Sequence, residues 1–346
     1  MKKDVYFIKN SSNNSDSAKQ LLEQLVKDAN FDFDQDVAIK VHFGEKGNVT
    51  YVKPDNYDGI IDYLESKGVN PSFIETNVLY LGSRTTKKDH LAVAKEHGFN
   101  RLPIVIADGN SGEAFTEIEI NKEIFDTALI GKGFDDFNQV VVTAHFKGHE
   151  MAGFGGALKQ LAMGFAARGG KLAQHSNNIP NVIEKGCVAC NICAEQCPVD
   201  AITVEDYATI NPDICIGCAA CIPACPTRTI KIDWGVNSHF YEKVAEYAYA
   251  AQKDKKFLYI NFVTNITENC DCIGEVQHPV MADIGVLASF DPVALDMACY
   301  DLVKANENIC KTSRLWDYFD NGLKTIDHCE KIEFGTKEYN LITIEK

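Results

Sequence analysis

The sequence predicts an α/β fold, a mostly parallel sheet with helices on both faces, interrupted by a small cysteine-rich α+β module. Three observations predict it. Short β-branched and aromatic runs alternate with segments of helical periodicity on both sides of the cysteine-rich stretch. Eight of the thirteen cysteines crowd between Cys187 and Cys225. That stretch, with prolines at 198, 212, 223 and 226, has little periodicity of its own.

Strands are expected at residues 4–8, 36–43, 71–76, 103–108, 139–146, 256–263 and 282–289, each a run rich in Val, Ile, Phe or Tyr. Helical periodicity is clearest at 15–29, where Ser15 and Asp16 offer caps, and at 54–68, 88–98 and 238–252. A further helix starts at Asp291, with Ser289 or Asp291 capping and Pro292 at an early position where no needed hydrogen bond is lost. Residues 1–182 and 233–346 are read as one discontinuous α/β domain and 183–232 as the inserted module; the other arrangement makes the module a link between two separate domains.

The chain has 346 residues, 45% apolar and 24% charged, which suits globular structure. No run of eighteen apolar residues occurs and the N-terminus lacks an apolar signal core, so a soluble cytoplasmic protein without membrane contact is expected. A net charge of −15 opposes binding to nucleic acid, which needs positive patches for counterion release. The same acidity suits docking on a basic redox partner protein.

The pattern C-x2-C-x2-C-x3-C-P occurs twice, at Cys187, Cys190, Cys193 and Cys197 before Pro198, and at Cys215, Cys218, Cys221 and Cys225 before Pro226. Three closely spaced thiolates grip one cubane from a single loop, and the fourth reaches the neighbouring cluster. The expected wiring is therefore crossed. Cys187, Cys190, Cys193 and Cys225 hold one [4Fe-4S] cluster, and Cys215, Cys218, Cys221 and Cys197 the other. Structural zinc favours paired C-x2-C units over such quadruplets. These residues resemble the bacterial two-cluster ferredoxin family, which implies a ferredoxin-like module and one-electron transfer at low potential.

Outside the module, polar groups gather in four segments: KVHFGEKGN from Lys40 to Asn48, HFKGHEMAGFGGALKQLAMG from His145 to Gly164, NCDC from Asn269 to Cys272, and DIGVLASFDPVALD with Asp283, Ser289, Asp291 and Asp296. Strand ends and the loops after them are where an α/β sheet usually keeps its site. His145, Lys147, His149, Cys270 and Cys272 are the candidate catalytic residues. An additional metal ion is expected at His42, His145, His149, Cys270 and Cys272, because imidazoles and thiolates suit zinc or iron, and His175 is a further contributor. The glycine-rich turn before residue 157 opens a helix whose amides are placed to meet an anion. Lys40, Arg84, Lys147 and Lys159 are candidates to grip a carboxylate or phosphate. Cys270 and Cys272, at i and i+2, share one face if that segment is extended. Cys299 reads as core, and Cys310 and Cys329 as incidental.

GFGGALK is not a P-loop, no G-x-G-x2-G follows the first strand, and no G-x-S-x-G is present. The four strings together resemble the iron-sulfur-center branch of the family called domain of unknown function 362. That resemblance implies redox chemistry and the inserted-module architecture. The function expected is an iron-sulfur oxidoreductase whose clusters pass low-potential electrons to a small-molecule substrate or metal in the α/β domain. Two rivals stand beside it: an electron-transfer adaptor without catalysis of its own, and a metal or cluster delivery protein using Cys270 and Cys272.

Overall fold

The computed structural model describes residues 2–9, 13–80, 82–176, 179–232, 239–306 and 313–345, so Cys310 lies outside the described residues. The chain begins β1 (Lys3–Lys9), α1 (Asn14–Ala29), β2 (Asp36–Lys40), α2 (Asp58–Ser66), β3 (Asn70–Glu75), α3 (Lys87–Glu96) and β4 (Ile104–Ile106). It continues with β5 (Phe115–Glu119), β6 (Thr127–Gly131), β7 (Gln139–His145), β8 (Lys147–His149), β9 (Gly153–Gly155), α4 (Ala157–Phe165) and α5 (Arg168–His175). The cysteine-rich insert holds β10 (Asn181–Val182), α6 (Ile192–Glu195), β11 (Ile202–Val204), β12 (Ala208–Ile210), α7 (Cys221–Ala224) and β13 (Ile230–Lys231). After it come α8 (Phe240–Gln252), β14 (Lys256–Val263), β15 (Gly285–Ser289), α9 (Pro292–Lys304), α10 (Leu315–Tyr318), α11 (Leu323–Lys331) and β16 (Tyr339–Thr343).

An eight-stranded sheet runs in the order β16-β1-β15-β14-β7-β2-β3-β4 among the described residues. Every pairing in it is parallel except the two made by β15, which runs against β1 and β14. Strands from both sides of the insert enter this one sheet, with β14 lying directly against β7. The seven expected strands are all in it. β16 escaped the sequence reading because it is a largely exposed edge strand with no buried face to leave an apolar pattern.

Both faces are covered. Along β7, Val140 and Val142 point into one apolar core while Val141 points into the other. β14 alternates likewise, with Phe257, Tyr259 and Val263 on one side and Leu258, Ile260 and Phe262 on the other. Helices α4, α8 and α9 fill the first core, and α1 and α2 the second. A sheet buried on both faces has no polar side, which is why its strands read as continuous apolar runs.

Helix starts follow capping chemistry, with one revision. Asn13, not Ser15 or Asp16, caps α1 by accepting from the Asp16 amide at 3.2 Å. At α9 the cap is Asp291, which accepts from Val293 and Ala294, with Pro292 at the first turn. In the insert β10 pairs with β13 and β11 with β12, both antiparallel, so this pairing begins at Asn181.

Candidate functional site

Parallel strands all end on the same edge of a sheet, so β2, β3, β7 and β14 deliver their following loops to one place. There they enclose a cleft of about 310 Å³. Its lining includes His42, His145, Lys147, His149, Cys270 and Cys272, along with Lys159 and His175. Residues separated by more than two hundred positions thus meet at one site.

Cys270 and Cys272 are not in an extended strand. The Ile273 amide donates to the Cys270 carbonyl at 3.1 Å, closing a tight turn, and the Cys272 amide donates to Cys270 Sγ at 3.4 Å. The Cys270 thiol donates toward Cys272 and holds it well below the usual thiol range; burial opposes this, and His42 and Lys159 reinforce it. Cys270 is driven up, first by Cys272 and then by burial. Of the two, Cys272 is the one that gives up its proton first. His42 accepts from the Gly44 amide through Nδ1 at 3.1 Å and brings Nε2 to 3.8 Å from Cys272 Sγ. Burial, helped by the nearby Arg84 guanidinium, keeps His42 neutral.

The other histidines differ in kind. His145 is buried with both ring nitrogens on oxygen acceptors: Nδ1 is 2.9 Å from Asp271 Oδ2 and Nε2 is 2.7 Å from the Thr264 carbonyl. Both ring nitrogens are thus engaged by oxygen atoms of the protein. His145 therefore anchors the Cys270–Cys272 turn through Asp271. Burial would raise the Asp271 carboxyl, but His145 and Lys147, the latter 3.4 Å away, hold it far below the carboxylate range. His149 accepts from the Ala152 amide at 3.0 Å through Nδ1. Burial keeps it neutral, with Lys159 adding to the effect. Burial and Lys159 likewise push His175 down to about 4. Among the described residues no three His, Cys, Asp or Glu side chains are grouped to hold one metal ion. Of the residues expected at an extra metal site, His145 is engaged by Asp271 and Thr264, while His42, His149, Cys270 and Cys272 all line the cleft.

Three further expectations are corrected. The amides that open α4 do not face solvent anions: Ala157 and Leu158 donate to the Asp296 carboxylate at 2.8 and 2.9 Å, and Asn261 donates to it at 2.7 Å. Gly156 permits this approach, since a Cβ there would sit 2.4 Å from Asp296 Oδ1. Burial raises Asp296 to about 6. Lys40 and Arg84 are also internal. Lys40 Nζ lies 3.3 Å from Glu75 and Arg84 Nε 3.2 Å from Glu45, each pair almost wholly buried. Burial lowers Lys40 to about 8 against the pull of Glu75. Finally, Asp283, Ser289 and Asp291 are outside the cleft lining. β15 is antiparallel, so its last residue, Ser289, pairs near the start of β14 with Tyr259, at the opposite edge of the sheet.

Sequence reasoning missed Glu75, Thr76, Tyr80 and Lys171, which also line the cleft. The first three lie at or just after the end of β3, and the strand-end rule applied to that expected strand would have found them. Lys171 had no such signal; it arrives on α5. Cys299 and Cys329 are buried in the core.

In the insert, two smaller cavities lie among the cysteines. One is lined by Cys187, Cys190, Cys193 and Cys225, the other by Cys197, Cys215, Cys218 and Cys221. The fourth cysteine of each run stands beside the first three of the other. Backbone amides already aim at sulfur: Ala201 donates to Cys197 at 3.2 Å, Ala208 to Cys187 at 3.4 Å and Thr229 to Cys225 at 3.3 Å. Burial would raise Cys225, but the Thr227 and Thr229 hydroxyls bring it down to about 6. Thiols spread around a cavity, with amides pointed at them, suit a multi-atom cluster better than one tetrahedral ion.

α5 joins the two regions. Lys171 and His175 line the cleft, while Leu172 packs with Ala219, and Gly169 abuts the Ile216 carbonyl so closely that a Cβ would lie 2.3 Å from it.

The model of domain of unknown function DUF362 matches residues 37–301. The chain belongs to this family. The matched span covers the cleft residues from His42 to Cys272 and the whole cysteine-rich insert. No curated protein matches. Among solved structures, the chain is similar to the lactate racemase apoprotein of Thermoanaerobacterium thermosaccharolyticum, at 15% identity and a TM-score of 0.41, covering 76% of this chain and 51% of that one. It is also similar to a Thermotoga maritima protein, at 12% identity and a TM-score of 0.42, covering 84% of this chain and 58% of that one. The chain thus spans little more than half the length of either.

Proposed function

We propose that this DUF362 protein is a cytoplasmic iron-sulfur reductase of the family's iron-sulfur-center branch, carrying two [4Fe-4S] clusters in a ferredoxin-like insert. The observation that carries the reading is α5, a single helix that lines the cleft with Lys171 and His175 and packs through Gly169 and Leu172 against Ile216 and Ala219, which line the cavity of Cys197, Cys215, Cys218 and Cys221. Cys187, Cys190, Cys193 and Cys225 would hold one cluster and Cys215, Cys218, Cys221 and Cys197 the other. Bound there, the clusters supply single electrons at low potential.

The chain's own residues supply the rest. Cys272, as a thiolate beside the Cys270 thiol and His42, is the nucleophilic or redox-active group of the cleft. Lys159 sets a positive charge among Cys272, His149 and His175, which favours a substrate with an anionic group. His149 and His175, neutral through burial, are placed to exchange protons with it. Lys147 and His145 hold the Asp271 turn so that both thiols keep their positions. A redox partner protein replenishes the electrons; Cys190, exposed, marks the side from which it has access.

The test is anaerobic purification with iron and sulfide analysis, then reduction and a screen of small carboxylates, ketones and disulfides as oxidants. About eight irons per chain, with reoxidation by a small molecule that is lost in Cys272→Ser, supports the reading. Reoxidation by a co-purifying protein alone, unaffected by that substitution, would replace it with the adaptor.

A further inference from the structure

Arg168, at the start of α5, is among the largest fully buried side chains of the protein. Nη1 donates to the Ser111 carbonyl at 3.2 Å. Nε and Nη2 are buried without any hydrogen-bond partner. A buried guanidinium is always charged, and leaving two of its N–H groups unsatisfied costs about 1–3 kcal/mol each or more. Such a group requires an explanation.

Its surroundings supply one. The stem is threaded past Gly112, which has φ +96° and would place a Cβ 2.5 Å from Arg168 Cβ, so the loop before β5 is shaped to let the side chain through. The next residue, Gly169, sits against the Ile216 carbonyl, between Cys215 and Cys218. The negative groups that act on the guanidinium are Cys218, Asp108, Cys221 and Glu113, and of these Cys218 and Cys221 line the second cavity. A cluster held by the four cysteines would concentrate negative charge in a largely buried place, and Arg168 carries two free donors at the start of the helix that packs against Ile216 and Ala219 of that cavity's wall.

We infer that Arg168 is a positioning residue for the second cluster, its free N–H groups donating to sulfur in the cavity of Cys197, Cys215, Cys218 and Cys221 and making that cluster the more easily reduced of the two. The inference rests on the two-cluster reading. Hydrogen bonds and positive charge at cluster sulfur stabilise the reduced, more negative form, and so raise its potential. Around the first cavity the corresponding groups on Cys225 are the neutral hydroxyls of Thr227 and Thr229. The cluster nearer α5, the helix that also lines the cleft, would then collect the electron.

The experiment is an anaerobic redox titration of the whole protein followed by electron paramagnetic resonance. Cys218→Ser, by abolishing one signal, identifies the second cluster. In the native protein the signal absent from Cys218→Ser should appear first on reduction. In Arg168→Met that signal should shift to lower potential while the other stays put, and Arg168→Lys, keeping charge but not the fork, should shift it less. Gly112→Ala, which displaces the stem without touching the guanidinium, should move the same signal in the same direction and keeps the test valid should Arg168→Met fail to fold. Unchanged potentials in these variants at native iron content, or equal shifts of both signals, would overturn the inference. Native protein without iron would instead overturn the two-cluster reading beneath it.

Discussion

In the insert, three of the four thiols around each cavity come from one run with two residues between neighbours, and the fourth comes from the other run, all within the stretch Cys187 to Cys225. The cleft gathers His42, Glu75, His145 and Cys272 from the ends of four separate strands and the loops after them. The insert leans on a small apolar core; the cleft is braced by the whole sheet. What the difference teaches is that local spacing fixes a cluster site, whereas a reactive thiol pair needs partners that only tertiary structure supplies. Damage to the two regions should therefore look different.

The largest effect is expected from Cys197→Ser. If the cavities report the wiring, this change removes the cluster of Cys215, Cys218 and Cys221, about half the iron, and leaves the signal of the other; spectroscopy showing the opposite loss would break the local side of the comparison. Next, Asp271→Asn removes the buried carboxylate on which His145 Nδ1 and Lys147 Nζ converge and should destabilise the α/β body by about 3–5 kcal/mol in a denaturant titration. The pH dependence has a definite sign. The Asp271 carboxyl is depressed in the folded protein, so its contribution is fully present above the unfolded value of about 4 and fades as pH falls further; the variant should lose that part of the acid sensitivity.

Smaller changes sharpen the cleft side. As pH falls below about 8, iodoacetamide should modify Cys272 with a smaller loss of rate than an ordinary thiol of pKa about 8.5, which slows almost tenfold per unit. His42→Ala or Cys270→Ser should restore much of the ordinary slope, read by peptide mass spectrometry. Smallest of all, Glu150→Ala should alter neither alkylation nor stability by more than about 0.5 kcal/mol. Glu150 is exposed, its contact to Arg314 is 3.8 Å, and surface pairs contribute little.

How far the sequence was legible follows the same division. The cysteine quadruplets and the seven strands could be read because both signals are local: a thiol spacing, or an apolar run buried on both faces. The cleft was partly legible through the strand-end rule, which placed His42, His145, Lys147, His149 and the Cys270–Cys272 pair in one region before any contact was known. It failed where direction mattered. Ser289 and Asp291 followed a strand as good as any other, but β15 runs against its neighbours and carries them to the far edge.

The sequence by itself determined the α/β class, the eight paired thiols and the set of polar residues from which a site could be built, because composition, periodicity and short spacing are properties of a chain before it folds. Only the tertiary structure decided what each polar group would do. It spent His145 on Asp271 and Thr264, filled the start of α4 with Asp296, buried Lys40 and Arg84 in ion pairs, made Cys272 more acidic than its partner thiol and left Arg168 with two free donors. The physical reason is that hydrogen bonding and charge compensation between distant segments depend on which strand ends meet, and that is set by the order and direction of strands in the sheet.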